Sequence, residues 1–201
     1  MFIILKKGVR ELNMEKKRCY WVENAAPLDI QYHDEEWGVP VYDDHILFEF
    51  LVLEGMQAGL SWTTILHRRD TMREAFDCYN LEKIIQYDEQ KVATLLQNPG
   101  IIRNKLKVNA VITNAKLFID IQKEFGSFAT YLWNFVNHKQ IVNHWNSKKE
   151  VPTTSTLSDN ISKDLKKRGF KFVGSTIIYA YLQAVGVVND HEVSCFCKNK
   201  I

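Results

Sequence analysis

Excess charge, cysteine and long hydrophobic runs are all scarce in this chain, and each scarcity excludes something. The 26 Lys and Arg are nearly matched by 24 Asp and Glu, leaving a formal charge of only +2. Net charge therefore does not by itself draw the chain to nucleic acid. The longest apolar runs are short, such as Ile177-Ile178-Tyr179-Ala180-Tyr181-Leu182, far below the roughly 20 residues that cross a bilayer. Phe2-Ile3-Ile4-Leu5 is too brief for a signal-peptide core, and Lys6, Lys7 and Arg10 follow it rather than precede it. The expectation is a soluble, cytoplasmic protein. Cysteine occurs four times, at 19, 78, 195 and 197, too sparsely in a chain of this size for a disulfide framework. Few stretches alternate with period two, and repeats and low-complexity tracts are absent.

What the chain does have is helical periodicity. Apolar residues make up 46% of 201 positions, ample for a core. After a capping Asp43, Ile46, Leu47, Phe50, Leu51 and Leu53 form one apolar stripe. Ser61 caps a helix carrying Ile65, Leu66, Met72, Ala75 and Phe76. Asn80 and Asp88 open two more, before Leu81–Ile85 and Val92–Leu96. Asn98-Pro99-Gly100 stops the second, since Pro lacks a donor and Gly tolerates positive φ. Asn104 caps a long helix to about Glu124, and Gly126 follows it. Ser127 opens another through Trp133. Residues 144–158 read as a polar loop. Ser158 caps Ile161–Arg168, and a last helix covers about Gly174–Val185. The fold class is all-α, with one domain over residues 18–197. Residues 1–17 read as an extension, and Met14 is a possible start.

The two ends carry matching halves of a metal-ligand set. Cys19 and His33 lie near the N-terminus. His191 and Cys195 lie near the C-terminus, four residues apart, a gap that sets both on one face of a helical turn. Zinc accepts Cys₂His₂ in a closed structural site. Spacing alone does not choose between Cys195 and Cys197. Cys78 reads as a core or half-buried thiol, and His45, His67, His138 and His144 have no ligand companions.

Three features point to DNA. The turn at 95–105 joins two helices, and N–H groups at the start of the second suit a phosphate, with Arg103 and Lys105 adding charge. This is the physics of a helix-hairpin-helix, although Ile102 stands where a second glycine is usual. Lys163, Lys166, Lys167, Arg168 and Lys171 form a second basic cluster. Glu54 ends an apolar stripe before Gly55, eight residues ahead of Trp62. A carboxylate at the mouth of a core can read a base edge while Tyr32, Trp37 and Trp62 make an aromatic slot. The competing reading is a helix-end glutamate facing water and aromatics that merely fill the core.

The motifs Arg18-Cys19-Tyr20-Trp21, Tyr32-His33-Asp34-Glu35-Glu36-Trp37-Gly38-Val39-Pro40, Leu53–Trp62, Gly100-Ile101-Ile102-Arg103, Trp133–Asn137, Leu165–Gly174 and Val188-Asn189-Asp190-His191 decide the matter. Together they resemble the bacterial type I family of 3-methyladenine DNA glycosylases, over roughly residues 18–197. The resemblance implies that Cys19, His33, His191 and Cys195 hold one structural zinc, with Cys197 outside. It implies that Glu54 contacts the excised base, with Tyr32 and Trp62 packing on its faces and Trp37 nearby. It also implies that the hairpin at Gly100, with Ile101, Arg103 and Lys105, grips DNA phosphate.

Two positions depart from the family pattern: Asp29 stands where some members have Tyr, and Thr63 where an apolar residue is commoner. Asp120 lies at a tempting distance from Gly100 for an assisting carboxylate. It sits inside a helix beside Phe118 and Ile119 and reads as a surface residue. The expected protein is a monomeric, monofunctional glycosylase that acts on alkylated adenine in double-stranded DNA. Glu54 is its catalytic residue, in a recognition and electrostatic role, and no nucleotide cofactor is needed. The rivals are a zinc-stabilised module that binds damaged DNA without cleavage, and a zinc hydrolase with an open coordination site acting on a small molecule.

Overall fold

The computed structural model describes residues 16–200. Most of the stretch expected to be an extension, up to residue 15, and the possible start at Met14 lie outside the described residues. Among the described residues ten α-helices follow in order: α1 (Pro27–Glu35), α2 (Asp44–Gln57), α3 (Trp62–Leu66), α4 (Arg69–Ala75), α5 (Leu81–Ile84), α6 (Glu89–Gln97), α7 (Lys105–Phe125), α8 (Phe128–Asn134), α9 (Thr156–Arg168) and α10 (Ser175–Ala184). The only strands among the described residues are β1 (Ile141–Val142) and β2 (Val188–Asn189), paired in parallel. The fold is all-α, as expected.

Most helix starts stand where short polar side chains predict them. Asp43 accepts from the main-chain N–H groups of His45 and Ile46, Ser61 from Thr64, Asn80 from Lys83, Asp88 from Lys91, Asn104 from Leu106 and Lys107, and Ser127 from Thr130. Each such cap contributes about 1 kcal/mol. Ser158 is different: it is the third residue of α9, and Ser155 is the cap, in a reciprocal capping box with Ser158. The single helix expected after Ser61 is two. The chain tightens at His67 and Arg68, and α4 sets off anew. That turn brings Arg69 and Arg73 to the buried Glu49, each at 2.7 Å. Cys78 is exposed rather than buried, in a left-handed turn with φ near 54°.

Helix α2 is the centre of the core. Leu47, Phe48, Phe50, Leu51, Leu53 and Met56 are all buried, because α3, α7, α8 and α10 pack around it. A helix enclosed in this way is apolar on more than one face, so any carboxylate within it is conspicuous. The two arginines neutralise Glu49. Glu54 has no such partner.

The N-terminal third is locked against the C-terminal segment next to β2. Gly38 N–H donates to Gln183 O and Val41 N–H to Val185 O, both at 3.0 Å. Gly186 sits at φ 68°, and a Cβ there would lie 2.2 Å from the Val39 carbonyl carbon. No other residue fits that approach.

Candidate functional site

A cavity of about 400 Å³ lies between α1, the end of α2, α3 and α10. Tyr32, Trp37, Glu54 and Trp62, four widely spaced sequence positions, all line it. Glu54 is only 4% exposed, and no described residue donates a hydrogen bond to its carboxylate. Burial pushes its pKa up to about 8. The water-facing reading of Glu54 is therefore excluded. Tyr32 is also buried, and its hydroxyl pKa is raised by burial first and by Glu54 second.

One detail of the expected slot is corrected. The Tyr32 and Trp62 rings stand 5.2 Å apart at 48°, which is ring-to-ring contact. A planar base does not slide between them, so the two form one continuous wall. Trp21 extends the aromatic lining, 6.3 Å from Tyr32 and 5.2 Å from Trp37. Its place directly after Tyr20 in the Cys19 motif was the only sequence sign of this.

Gln57, Thr176, Tyr179, Gln183 and Glu192 complete the lining on α2, α10 and the C-terminal segment, and nothing in the sequence singled them out. The cavity is roofed by Lys148, Val151, Pro152 and Thr153, from the loop that reads merely as polar. Asp190 ties down the start of that loop. Its carboxylate accepts from Asn143, Trp145, Tyr179 and Gln183 at 2.6–2.8 Å. Asp29 and Thr63, the two departures from the family pattern, bond to each other: the Thr63 hydroxyl donates to Asp29 at 3.0 Å.

Beside the cavity, the ligand atoms of Cys19, His33, His191 and Cys195 all lie within 4.8 Å of one another, and all four residues are buried. Cys19 Sγ is 3.4 Å from His191 Nδ1, and Cys195 Sγ is 3.5 Å from both His33 Nε2 and His191 Nδ1. Tetrahedral zinc with ordinary bond lengths sets sulfur and nitrogen about 3.6 Å apart. The outer nitrogens are held as a metal site requires. His33 Nδ1 faces Asp34 at 2.8 Å, and His191 Nε2 faces the Trp37 carbonyl at 3.0 Å.

Both sulfurs also accept main-chain N–H groups, Cys19 from Glu192 and Cys195 from Cys197, each at 3.4 Å. The shared Cys19 contact, helped by the two imidazoles, holds the Cys195 thiol well below its ordinary pKa, while Cys19 rises. The donor set fits a metal with all four positions filled by protein. Cys197 Sγ stands 3.9 Å from the His33 and Asp34 carbonyls and belongs to a separate grouping with His33 and Asp34 that leaves out Cys19, His191 and Cys195. His191 and Cys195 are joined by a turn, Cys195 N–H to Glu192 O at 2.8 Å, and not by the helical turn expected.

The hairpin joins α6 to α7. Gly100 is required, because a Cβ would meet the Thr71 Cβ at 2.9 Å. Its N–H is already bonded to the Asn98 side chain and its carbonyl to the Thr71 hydroxyl. Ile101 is buried. Since Asn104 caps Leu106 and Lys107, the main-chain N–H groups without a partner among the described residues are those of Ile102, Arg103 and Lys105. The Arg103 and Lys105 side chains are exposed. In the second basic cluster, Arg168 is committed to Glu124 and Asp164, whereas Lys163, Lys166, Lys167 and Lys171 are exposed. Asp120 is on the surface beside Lys123, away from the cavity.

An aromatic cavity with one unpaired acid, a Cys₂His₂ clip and a helix-hairpin-helix on an all-α fold define a class, the helical DNA glycosylases. The chain belongs to the methyladenine glycosylase family, whose pattern matches residues 21–198. It is 46% identical over 181 residues to DNA-3-methyladenine glycosylase 1 of Escherichia coli (strain K12), covering 90% of this chain and 96% of that protein. The solved structure of 3-methyladenine DNA glycosylase I from Staphylococcus aureus, a study of 3-methyladenine recognition, aligns with TM-score 0.88 at 34% identity, over 92% of this chain and 97% of that one. A tyrosine-to-phenylalanine variant of 3-methyladenine DNA glycosylase I in complex with 3-methyladenine aligns with TM-score 0.87 at 34% identity, over 90% and 97%.

Proposed function

We propose that this chain is a monofunctional DNA glycosylase that hydrolyses the bond between deoxyribose and 3-methyladenine in alkylated duplex DNA and releases the free base. The observation that carries the reading is Glu54, a buried carboxyl with no partner, facing an aromatic cavity in a fold shared with 3-methyladenine glycosylases.

In the empty cavity at pH 7, Glu54 holds its proton, since its pKa is about 8. An extruded 3-methyladenine nucleotide carries positive charge. At about 4 Å, an effective dielectric of 20 makes the attraction about 4 kcal/mol, enough to ionise Glu54 and hold the cation. Neutral adenine brings no such charge. A cationic methylguanine turns a carbonyl toward Glu54 where adenine offers an amine, so the ionised carboxylate that the cation calls for would face a second acceptor. Extrusion of a damaged base costs a few kcal/mol, and stacking on the wall of Tyr32, Trp62 and Trp21 returns about 1–3 kcal/mol per base.

The C1′–N9 bond then breaks with its electron pair passing to the base, which leaves neutral. Water adds to C1′ and gives its proton to solvent. The positive charge moves from base to sugar in this step, so Glu54 acts on capture and extrusion more than on bond breaking. No lysine is needed as a nucleophile, and the enzyme stops at the abasic site. Zinc, held by Cys19, His33, His191 and Cys195, would be structural, joining the two ends of the chain without an open position for water. Duplex DNA would be held by the hairpin through Ile102, Arg103 and Lys105, with the protein acting as a monomer.

Binding of free bases tests the site. Trp21, Trp37 and Trp62 line the cavity, so 3-methyladenine should quench tryptophan fluorescence. 3,9-Dimethyladenine, which keeps the positive charge of the bound nucleotide, should bind at least about tenfold more tightly than neutral 3-methyladenine or neutral 9-methyladenine, and Glu54→Ala should abolish the difference. Equal binding of the three bases would contradict the assignment.

A further inference from the structure

Lys107 is one of two buried lysines among the described residues, at 7% exposure. It lies in the first turn of α7, immediately after the hairpin, and its main-chain N–H is capped by the Asn104 side chain. Its ammonium donates to the Met56 carbonyl at 2.8 Å and to the Ala58 carbonyl at 2.7 Å. No described carboxylate lies within ion-pair reach of it. Burying an ammonium is unfavourable. Gly59 follows the end of α2 in the left-handed region, at φ 79°, yet the Met56 and Ala58 carbonyls take their hydrogen bonds from this lysine, which reaches in from another helix.

The position of that contact matters. The end of α2 carries Glu54 and Gln57, both in the cavity lining. Only Ala58–Ser61 separate α2 from Trp62, and Leu60 N–H is fixed to Gln57 O at 2.7 Å. On the other side of Lys107 are the unpartnered N–H groups of Ile102, Arg103 and Lys105. A cation also suits the negative end of α2.

We propose that Lys107 is a positioning residue that fixes the base cavity relative to the phosphate-gripping hairpin, so that a nucleotide extruded from hairpin-anchored DNA arrives at Glu54. The inference rests on the glycosylase reading. Neither half-site touches substrate through Lys107, so its loss should spare each half alone and impair the reaction that needs both in register. A misplacement of about 1 Å costs as much as 100-fold in rate.

The test is Lys107→Met, which keeps the aliphatic stem and removes the donors. Four readouts are compared with wild type: zinc content, binding of free 3-methyladenine, binding of undamaged duplex, and single-turnover release of 3-methyladenine at saturating enzyme. Base and duplex binding should stay within about threefold, while release falls about 10- to 100-fold. Lys107→Arg, which restores charge and donors on a longer side chain, should release at an intermediate rate. If Lys107→Met does not fold, Lys107→Arg alone decides, by slower release with unchanged base binding. Wild-type release by the folded variants, or a fall in release matched by an equal fall in base or duplex binding, overturns the positioning role. Failure of the wild-type protein to release any base is seen before a variant is compared, and overturns the glycosylase reading together with this one.

Discussion

Glu54→Gln should damage the enzyme and stabilise the protein. In the unfolded chain this carboxyl ionises at about its ordinary value of 4.5, whereas in the fold it holds its proton to about 8. Between those values the folded state binds more protons than the unfolded one, so stability falls as pH rises, by about 1.4 kcal/mol per pH unit. By pH 7 the loss amounts to about 3 kcal/mol. Below pH 4.5 it is absent, and above 8 it stops growing. Glutamine cannot ionise. Its amide burial is a constant offset, and the metal ligands titrate alike in both proteins, so the difference between variant and wild type isolates Glu54.

Urea unfolding at pH 5, 6, 7 and 8 is the assay. Relative to wild type, Glu54→Gln should gain stability steadily across the series, equivalent at pH 7 to a melting rise of about 6–12 °C. A difference that stays flat with pH, or shrinks as pH rises, would refute the claim that the fold holds this carboxyl unionised in a cavity without a partner.

The same protonation governs activity. Because ionised Glu54 is the form that holds the cation, kcat/KM at constant ionic strength should rise about tenfold per unit from pH 6 toward 8 and then level off; a profile without that rise removes its electrostatic role. Cys195→Ser should lose the metal and melt at lower temperature, whereas Cys197→Ser should keep one zinc per chain by elemental analysis, since its sulfur is not among the four ligand atoms gathered from Cys19, His33, His191 and Cys195. Gly100→Ala forces a Cβ to 2.9 Å from Thr71, which should cost about 1–3 kcal/mol of stability and weaken duplex binding, while free-base binding in a fluorescence titration stays at the wild-type level.

Much of this organisation is legible in the residues, and the failures have physical causes. Six predicted caps are observed because a short polar side chain before an apolar stripe is a local signal that tertiary packing does not override. Helix α1 was missed because it buries Asp29, Tyr32 and His33, a polar set serving the cavity and the metal cluster rather than an apolar stripe. The break after α3 went unseen because its cause, the pull of Glu49 on Arg69 and Arg73, spans 20 or more residues. Metal-ligand types were readable at both termini, but the choice of Cys195 over Cys197 depends on how the last turn folds back on His33. Glu54, Tyr32, Trp37 and Trp62 were recognisable as site candidates from chemistry and resemblance. The α10 side of the cavity was not, because Tyr179 and Gln183 sit on a helix where a lining residue looks like any other.

The central claim is tested most directly by base release from duplex DNA treated with dimethyl sulfate, with the freed bases resolved by chromatography. Zinc-loaded wild-type protein should release 3-methyladenine, with little 7-methylguanine and no strand cleavage, and Glu54→Gln should release it markedly more slowly. A folded, zinc-loaded protein that binds the DNA and frees no base would contradict the account and leave a damage-binding module in its place.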